Sequence, residues 1–456
     1  MINLKKRTLL HSLISLIGIS VIVKIVATIA KVTTTRLVGI EATGLYMLIN
    51  PSMVFLINLT QLSLPIVISK LIASNKNTKK VLITTSIMLF TVTIISMILI
   101  LLLASPFATL VLKNKDCTNP LQALALLIPL ISIGSIIKGY YMGVGNVAIT
   151  AKSQISEEIG RLVFIVALSS PFLSISIPMA AACCIYSLCF GEICSLTHMI
   201  LNLLNQKKEK VHLIDELSNK NNYIFKEVLC ISLPLTSSKL ISSFTYFLEP
   251  IILTFLLLRY GYDSTSISIE YGILNGYAMP LILMPGFFSG IYGKILLPEM
   301  SKLNANNNYQ HSYSLFIKFL IITFFTGLLF SITILIFKTP LLNLLYGSNI
   351  GEKYIITLTM PFLIYYLEAP ISSALTSLSL NKETFKIGIY SAIIRVTTLI
   401  CSLEYFGILA VALSELAGVL TYVILGLYYV LRKFFSYNIH PIFFKKRNKN
   451  ILHTNP

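Results

Sequence analysis

Charge is scarce in this chain, and acidic charge scarcest. Its 456 residues carry 18 Asp and Glu against 36 Lys and Arg, and charged residues make up 12% of the whole. A soluble domain of ordinary composition carries about twice that share. Cysteine and histidine are equally thin. None of the seven cysteines stands at a zinc spacing. Cys183, Cys184, Cys189, Cys194, Cys230 and Cys401 fall within or at the edge of apolar runs, as small packing residues do, and Cys117 stands alone in a loop. That pattern argues against a disulfide framework. The six histidines are scattered from His11 to His453. A P-loop is missing as well: Gly293-Lys294 has Phe288 where the first glycine belongs and Ile295 where Ser or Thr belongs. Asp116, Asp263 and Glu270 lie isolated in short loops, unlike the paired carboxylates that membrane glycosyltransferases place on sizeable ones. The expectation is a protein with no catalytic site, no metal and no cofactor.

What the chain has is apolar sequence in long runs. It is 55% hydrophobic with a mean hydropathy of +0.81, and runs such as 9–35, 81–104, 319–337 and 408–431 exceed or approach the roughly 20 residues that span a hydrocarbon core. They are continuous rather than alternating, which excludes a closed β-barrel. The first run follows Lys5-Lys6-Arg7 but is too long for a signal-peptide core and lacks a small-x-small cleavage site, so it reads as a retained helix. The expected class is an all-α polytopic membrane protein. About twelve transmembrane helices are placed near 9–35, 44–69, 81–104, 120–144, 153–173, 176–203, 228–257, 271–297, 313–337, 353–379, 385–404 and 406–431.

The net charge of +18 would point to nucleic acid in a soluble chain, but its placement points to membrane topology. Lys5, Lys6, Arg7, Lys70, Lys76, Lys79, Lys80, Lys152, Lys207, Lys208, Lys210, Lys220, Lys226, Lys302, Lys382, Lys386 and the tail from Arg432 to Lys449 fall on one side. Arg36, Lys113, Lys115, Arg259, Lys338 and Lys353 fall on the other. The richer side is expected in the cytoplasm of a plasma-membrane protein, with both termini there.

The polar stretch 205–226 divides the chain into expected six-helix lobes, 1–204 and 227–431, followed by a basic cytoplasmic tail, 432–456. The lobes echo one another. Ser69-Lys70-Leu71 and Pro129 recur 232 positions later as Ser301-Lys302-Leu303 and Pro361. Lys24 and Lys239 lie at similar depths, as do Arg161 and Arg395. Six helices separate equivalent points, so the lobes share one orientation about an axis along the membrane normal, with a central cavity between them. Prolines at 51, 65, 234, 250, 280 and 285 mark helices that either bend around such a cavity or pack irregularly.

A charge facing lipid at mid-helix costs about 2.5–3.5 kcal/mol. Lys24, Lys31, Lys138, Arg161, Lys239 and Arg395 lie within expected spans, with Glu192, Glu249, Glu368 and Glu415. They must line a wet cavity or pair with one another. Glu157 and Arg161, four apart, have ion-pair spacing, whereas Lys24, Lys138 and Lys239 have no acid one turn away. A cationic cavity asks for an anion, since arginine and lysine suit phosphate.

Two stretches resemble the stage V sporulation protein B family. One is Gly139-Tyr-Tyr-Met-Gly143-Val-Gly-Asn146 continuing to Ala151-Lys-Ser153-Gln154-Ile-Ser-Glu157-Glu158-Ile-Gly-Arg161. The other is Gly44-Leu-Tyr46-Met-Leu-Ile-Asn-Pro51 running on to Leu64-Pro65-Ile-Val-Ile-Ser69-Lys70. Weaker echoes are Leu297-Pro298-Glu-Met-Ser301 and Leu344-Leu-Tyr346-Gly347. That family belongs to the multidrug, oligosaccharidyl-lipid and polysaccharide exporters. The resemblance implies two lobes, alternating access and movement of a lipid-linked saccharide, a peptidoglycan precursor for the spore cortex. Carried over by position, Lys24 and the Ser153/Gln154/Glu157/Arg161 pattern are its functional residues. Several flippases of the superfamily have fourteen helices, two more than expected here.

The expected cargo is therefore an undecaprenyl-diphosphate-linked saccharide. The candidate substrate-binding residues are Lys24, Arg36, Lys138, Gln154, Glu157, Arg161, Lys239 and Arg395. A cation-coupled multidrug antiporter on the same fold is the alternative, with Glu192, Glu249 and Glu368 as coupling-ion candidates. The expected partners are the anionic lipid-linked saccharide, membrane lipids and cell-wall synthesis enzymes, and not nucleic acid. A third reading makes the chain a scaffold that recruits such enzymes through its tail.

Overall fold

The computed structural model describes residues 2–74, 77–205 and 221–437, with backbone alone at 2–17, 221–223 and 238. Among these residues every regular element is helical. The first group is α1 (Ile2–Val38), α2 (Ile40–Gln61), α3 (Leu64–Ala73), α4 (Thr78–Pro106), α5 (Thr118–Gly143), α6 (Val147–Ile175) and α7 (Ile177–Asn205). The second is α8 (Asn221–Arg259), α9 (Ser264–Gly272), α10 (Met279–Ile282), α11 (Gly286–Ala305), α12 (Tyr309–Ile336), α13 (Lys338–Tyr346), α14 (Glu352–Leu358), α15 (Glu368–Ser377), α16 (Asn381–Phe406) and α17 (Leu409–Phe435). Most of the expected linker and the tail beyond Tyr437 lie outside the described residues, and α8 begins seven residues before the expected helix.

Nine described helices are long and apolar enough to cross a bilayer, or eleven if each of two bent pairs is one span. α1 is a further long helix outside that count, with side chains described from Gly18 onward. The outer faces are apolar: Phe90 and Leu102 on α4 are 66% and 68% exposed, which is tolerable only against acyl chains. Within the helices, hydroxyls turn back onto the preceding turn. Thr85 Oγ1 donates to Val81 O at 2.8 Å, and Thr254 Oγ1 to Pro250 O at 2.8 Å. These two donors are thereby satisfied within their own helices. The chain is a multi-pass membrane protein.

Three expected single helices are broken. The span 44–69 divides at Leu62 and Ser63, both left-handed (φ 48° and 53°), and α3 restarts with Pro65 in its first turn. The span 271–297 bends by 53° around Leu283–Pro285. The span 353–379 bends by 67° between Leu358 and Pro361, and a 3₁₀ segment, Pro361–Leu367, then leads into α15. Proline alone does not make these breaks, since α8 runs unbroken through Pro234 and Pro250.

α1–α7 and α8–α17 form two lobes. In the first, α6 packs between α1 and α7, and α5 packs on α3, α4 and α7; in the second, α16 lies against α8 and α17, and α11 against α12 and α15. Alternating directions put the start of α1, the α5–α6 turn, the start of α8 and the end of α17 on one side, the terminal side. On the opposite side the lobes touch closely, where α2 crosses α9. A Cβ on Gly44 would fall 2.3 Å from Ser268 O, and one on Gly272 2.5 Å from Gly44 Cα. Only glycine allows that approach. Ser264 Oγ on Lys113 O (3.1 Å) and Tyr277 Oη on Thr35 O (3.4 Å) complete the closure.

Candidate substrate cavity

Between the lobes lies a cavity of about 910 Å³. Its first-lobe wall starts from helical spacing. Ser20, Lys24, Ala27, Thr28 and Lys31 recur at three- and four-residue steps along α1, so both lysines share one face, which lines the cavity. On α6, Gln154 and Arg161, seven apart, line it too. Neither lysine has a carboxylate within ion-pair distance among the described residues. Arg161 Nη1 does, meeting both oxygens of Glu158 at 3.0 and 2.9 Å, while its Nε keeps no partner. The Arg161 stem lies over α7 at Gly191, where a Cβ would fall 2.5 Å from Arg161 Cγ.

The second-lobe wall is different. Lys294 lines the cavity from α11, four residues past Gly290 and eight past Gly286, and has no carboxylate partner among the described residues. Arg395 on α16 is neutralised: its Nη2 lies 2.6 Å from Glu249 Oε2. Glu249, on α8 and 2% exposed, also accepts from Tyr271 Oη at 2.7 Å. Arg395 sits 5.8 Å from the Tyr246 ring centroid, and Asn50 Nδ2 donates to Tyr246 Oη at 3.1 Å, which ties α2 to α8. Glu415 lines the same wall. Five basic side chains thus face two acidic ones, and the three cations without a carboxylate partner among the described residues are Lys24, Lys31 and Lys294.

A search of known families matches residues 9–304 to the polysaccharide biosynthesis protein family. The chain belongs to that family. Stage V sporulation protein B of Bacillus subtilis (strain 168) is 26% identical over 423 residues, 91% of this chain and 82% of that protein. Among solved structures, the inward-facing form of a multidrug resistance MATE family transporter of the MOP superfamily superposes with a TM-score of 0.73 at 14% identity, covering 91% of this chain and 95% of that one. The lipid II flippase MurJ in an inward closed form gives 0.69 at 15% identity, covering 93% and 90%. The fold is that of these membrane transporters.

The predicted residues divide sharply. Lys24, Gln154, Arg161, Arg395 and Glu249 come together around the cavity. Lys138 does not: Glu192 from α7 holds its Nζ at 2.9 and 3.2 Å, and Glu157 lies 3.6 Å away. α5 admits the Glu192 carboxylate at Gly134, where a Cβ would fall 2.1 Å from its Oε1. Arg161 therefore pairs with Glu158, three residues away, and not with Glu157 as the spacing suggested. Arg36 is exposed on the opposite side, its Nε 3.7 Å from where a Cβ of Gly347 would stand. Glu368 opens α15 and is not among the lining residues of the cavity. Lys239 lines a neighbouring recess. Sequence reasoning missed Lys31 and Lys294 as site residues. The seven-residue interval from Lys24 marks the first, whereas in the sequence Lys294 is marked only by its place in an incomplete P-loop pattern.

Proposed function

We propose that the chain is a flippase that carries an undecaprenyl-diphosphate-linked saccharide, a peptidoglycan precursor of the spore cortex, by alternating access between its lobes. One observation carries the reading: Lys24, Lys31 and Lys294 line one interlobe cavity, and none of them has a carboxylate within ion-pair distance among the described residues. Three like charges lining one cavity repel one another, so an anion bound among them stabilises the arrangement. A diphosphate fits it, with the ammonium groups as point charges and the Arg161 guanidinium beside them in the cavity wall. The prenyl tail stays among acyl chains.

The bias of Lys and Arg supports a cytoplasmic terminal side in a plasma-membrane protein. The cavity is then closed outward by the α2–α9 crossing, a state ready to load from within. A potential negative inside favours outward anion movement by about 2.3 kcal/mol per charge per 100 mV. The test is translocation of a fluorescent lipid-linked saccharide in proteoliposomes. Lys24→Ala and Lys31→Ala should each slow it at least tenfold, and unchanged rates would refute the cavity assignment. A second reading, a cation-coupled drug antiporter, draws on Glu249 and Glu415 at the same cavity. It requires drug efflux that is lost in Glu249→Gln.

A further inference from the structure

A small polar pocket opens off the main cavity inside the first lobe. It measures about 140 Å³, is largely enclosed, and shares Lys31, Met47, Asn50 and Arg161 with the cavity wall. Helical spacing builds it. Lys31, Thr34 and Thr35 continue the cavity face of α1, Thr43, Tyr46 and Asn50 recur three and four apart on α2, and Cys184 and Ser187 stand three apart on α7. Its far end lies beside the α2–α9 crossing, where Thr43 adjoins Gly44 and the Thr35 carbonyl accepts from the Tyr277 hydroxyl. The pocket is thus closed on that side and reached from the cavity. It is well below the roughly 300–1,000 Å³ of ordinary small-molecule sites, so it takes one small group and not a saccharide head.

Its lining favours an anion. No carboxylate is among the lining residues. Lys31 has no carboxylate within ion-pair distance among the described residues, and the charges that bear on it are those of Lys24 and Arg161, both positive. The Tyr46 hydroxyl has no hydrogen-bond partner among the described residues either. Thr34 and Ser187, by contrast, turn their hydroxyl protons onto their own helices, to Ala30 O at 2.7 Å and Cys184 O at 2.6 Å. Three donor groups therefore face a ligand: the Lys31 ammonium, the Tyr46 phenol, and the Arg161 guanidinium, of which Glu158 engages Nη1. A terminal phosphoryl group brings three acceptor oxygens and a charge of about −1.5 to −2. A diphosphate esterified at both ends cannot enter a closed pocket of this size without drawing its sugar or its tail in as well.

We propose that this pocket binds a terminal phosphoryl group, the end of a phosphate monoester or inorganic phosphate itself, on Lys31, Arg161 and Tyr46. This ligand is distinct from the diphosphate cargo, and the proposal goes beyond the flippase reading without depending on which saccharide the chain carries. Lys31 faces both spaces, whereas Tyr46 lines the pocket and not the cavity, so Tyr46 is the deciding residue.

The test uses the purified full chain in lipid nanodiscs, titrated calorimetrically at constant chloride with inorganic phosphate and with dimethyl phosphate, which has no terminal phosphoryl group. Wild type should bind phosphate at least tenfold more tightly than dimethyl phosphate. Tyr46→Phe, which removes one hydroxyl and keeps the ring, should weaken phosphate binding about tenfold, the scale of a hydrogen bond to a charged group. Lys31→Gln should weaken it at least as much. Equal binding of the two probes by wild type, or unchanged phosphate binding in Tyr46→Phe, overturns the proposal. A thermal midpoint for Tyr46→Phe within a degree or two of wild type confirms that the variant is folded. A larger drop passes the decision to Lys31→Gln set against Lys24→Gln, which should spare phosphate binding, and equal weakening in those two overturns the proposal as well. Farnesyl phosphate separates the two sources of the group. Its Tyr46-dependent displacement of inorganic phosphate assigns the pocket to a lipid monoester, and phosphate binding that it leaves intact assigns the pocket to the free ion.

Discussion

Placing a methyl group at Gly44 should bias the whole molecule toward opening on the opposite side. The built Cβ stands 2.3 Å from Ser268 O and 2.7 Å from its carbonyl carbon, against ordinary contacts of 3.4–4 Å. The obstacle is backbone on α9, which cannot rotate away as a side chain can. The α2–α9 crossing must therefore widen by about 1 Å, at an overpacking cost of about 1–3 kcal/mol. That cost falls only on the state in which the lobes touch there. A differential of that size shifts a two-state equilibrium by about 5- to 150-fold. The assay is labelling of Asn275→Cys, in the cavity wall, by an impermeant maleimide offered from the opposite side, in a background with Cys194, Cys230 and Cys401 changed to serine. Gly44→Ala should raise the labelling rate within that range, and Gly44→Val further. Gly388→Ala, where a Cβ meets nothing within 4 Å, is the control and should leave the rate unchanged. If Gly44→Ala labels like the control, the crossing is not the closure that limits access.

Other perturbations separate structural charge from functional charge. Lys138→Met leaves Glu192, 3% exposed, buried without its cation, so thermal stability in detergent should fall by about 3–5 kcal/mol. Lys138→Met with Glu192→Leu should recover most of that, and an unshifted midpoint in the single variant would refute the pairing. Gly134→Ala drives a Cβ to 2.1 Å from Glu192 Oε1 and should lower the same midpoint without altering cargo affinity at permissive temperature. Arg395→Met strips Glu249 of its cation and should destabilise by a comparable amount, with Arg395→Lys intermediate, read by the same melting curves. Cargo binding should weaken as ionic strength rises from 50 to 500 mM, because the cavity charges are reached through water. Salt-independent binding would exclude a cationic cavity as the main source of affinity.

The helices were legible because lipid imposes one requirement, an apolar run closed on its own hydrogen bonds, and 81–104, 313–337 and 406–431 meet it without interruption. The breaks were not legible, because proline position does not determine them. Pro250 continues α8 with the Thr254 hydroxyl turned onto its carbonyl, while Leu62 and Ser63 break α2 from α3 in left-handed conformations that neither residue type signals. The Gly44–Gly272 crossing joins residues more than two hundred positions apart. In the sequence each glycine reads as merely tolerated in a membrane helix.

Charge pairing was the harder part, since sequence spacing reveals partners on the same helix only. Glu157 and Arg161 have favourable spacing, yet Lys138 from α5 draws Glu157 aside and Glu158 takes the guanidinium. Lys138 looked unpaired on its own helix because its acid arrives from α7 through the gap at Gly134. Lys24 and Lys31 also lack an acid on their own helix, but no other helix supplies one among the described residues. The difference between Lys138 and Lys24 thus depends on what neighbouring helices bring rather than on local sequence. An intramembrane cation that meets its acid contributes to holding a lobe together, and one that meets none is available to a ligand. Sorting the intramembrane charges by that criterion leaves Lys24, Lys31 and Lys294 facing one cavity and Lys239 facing the recess beside it.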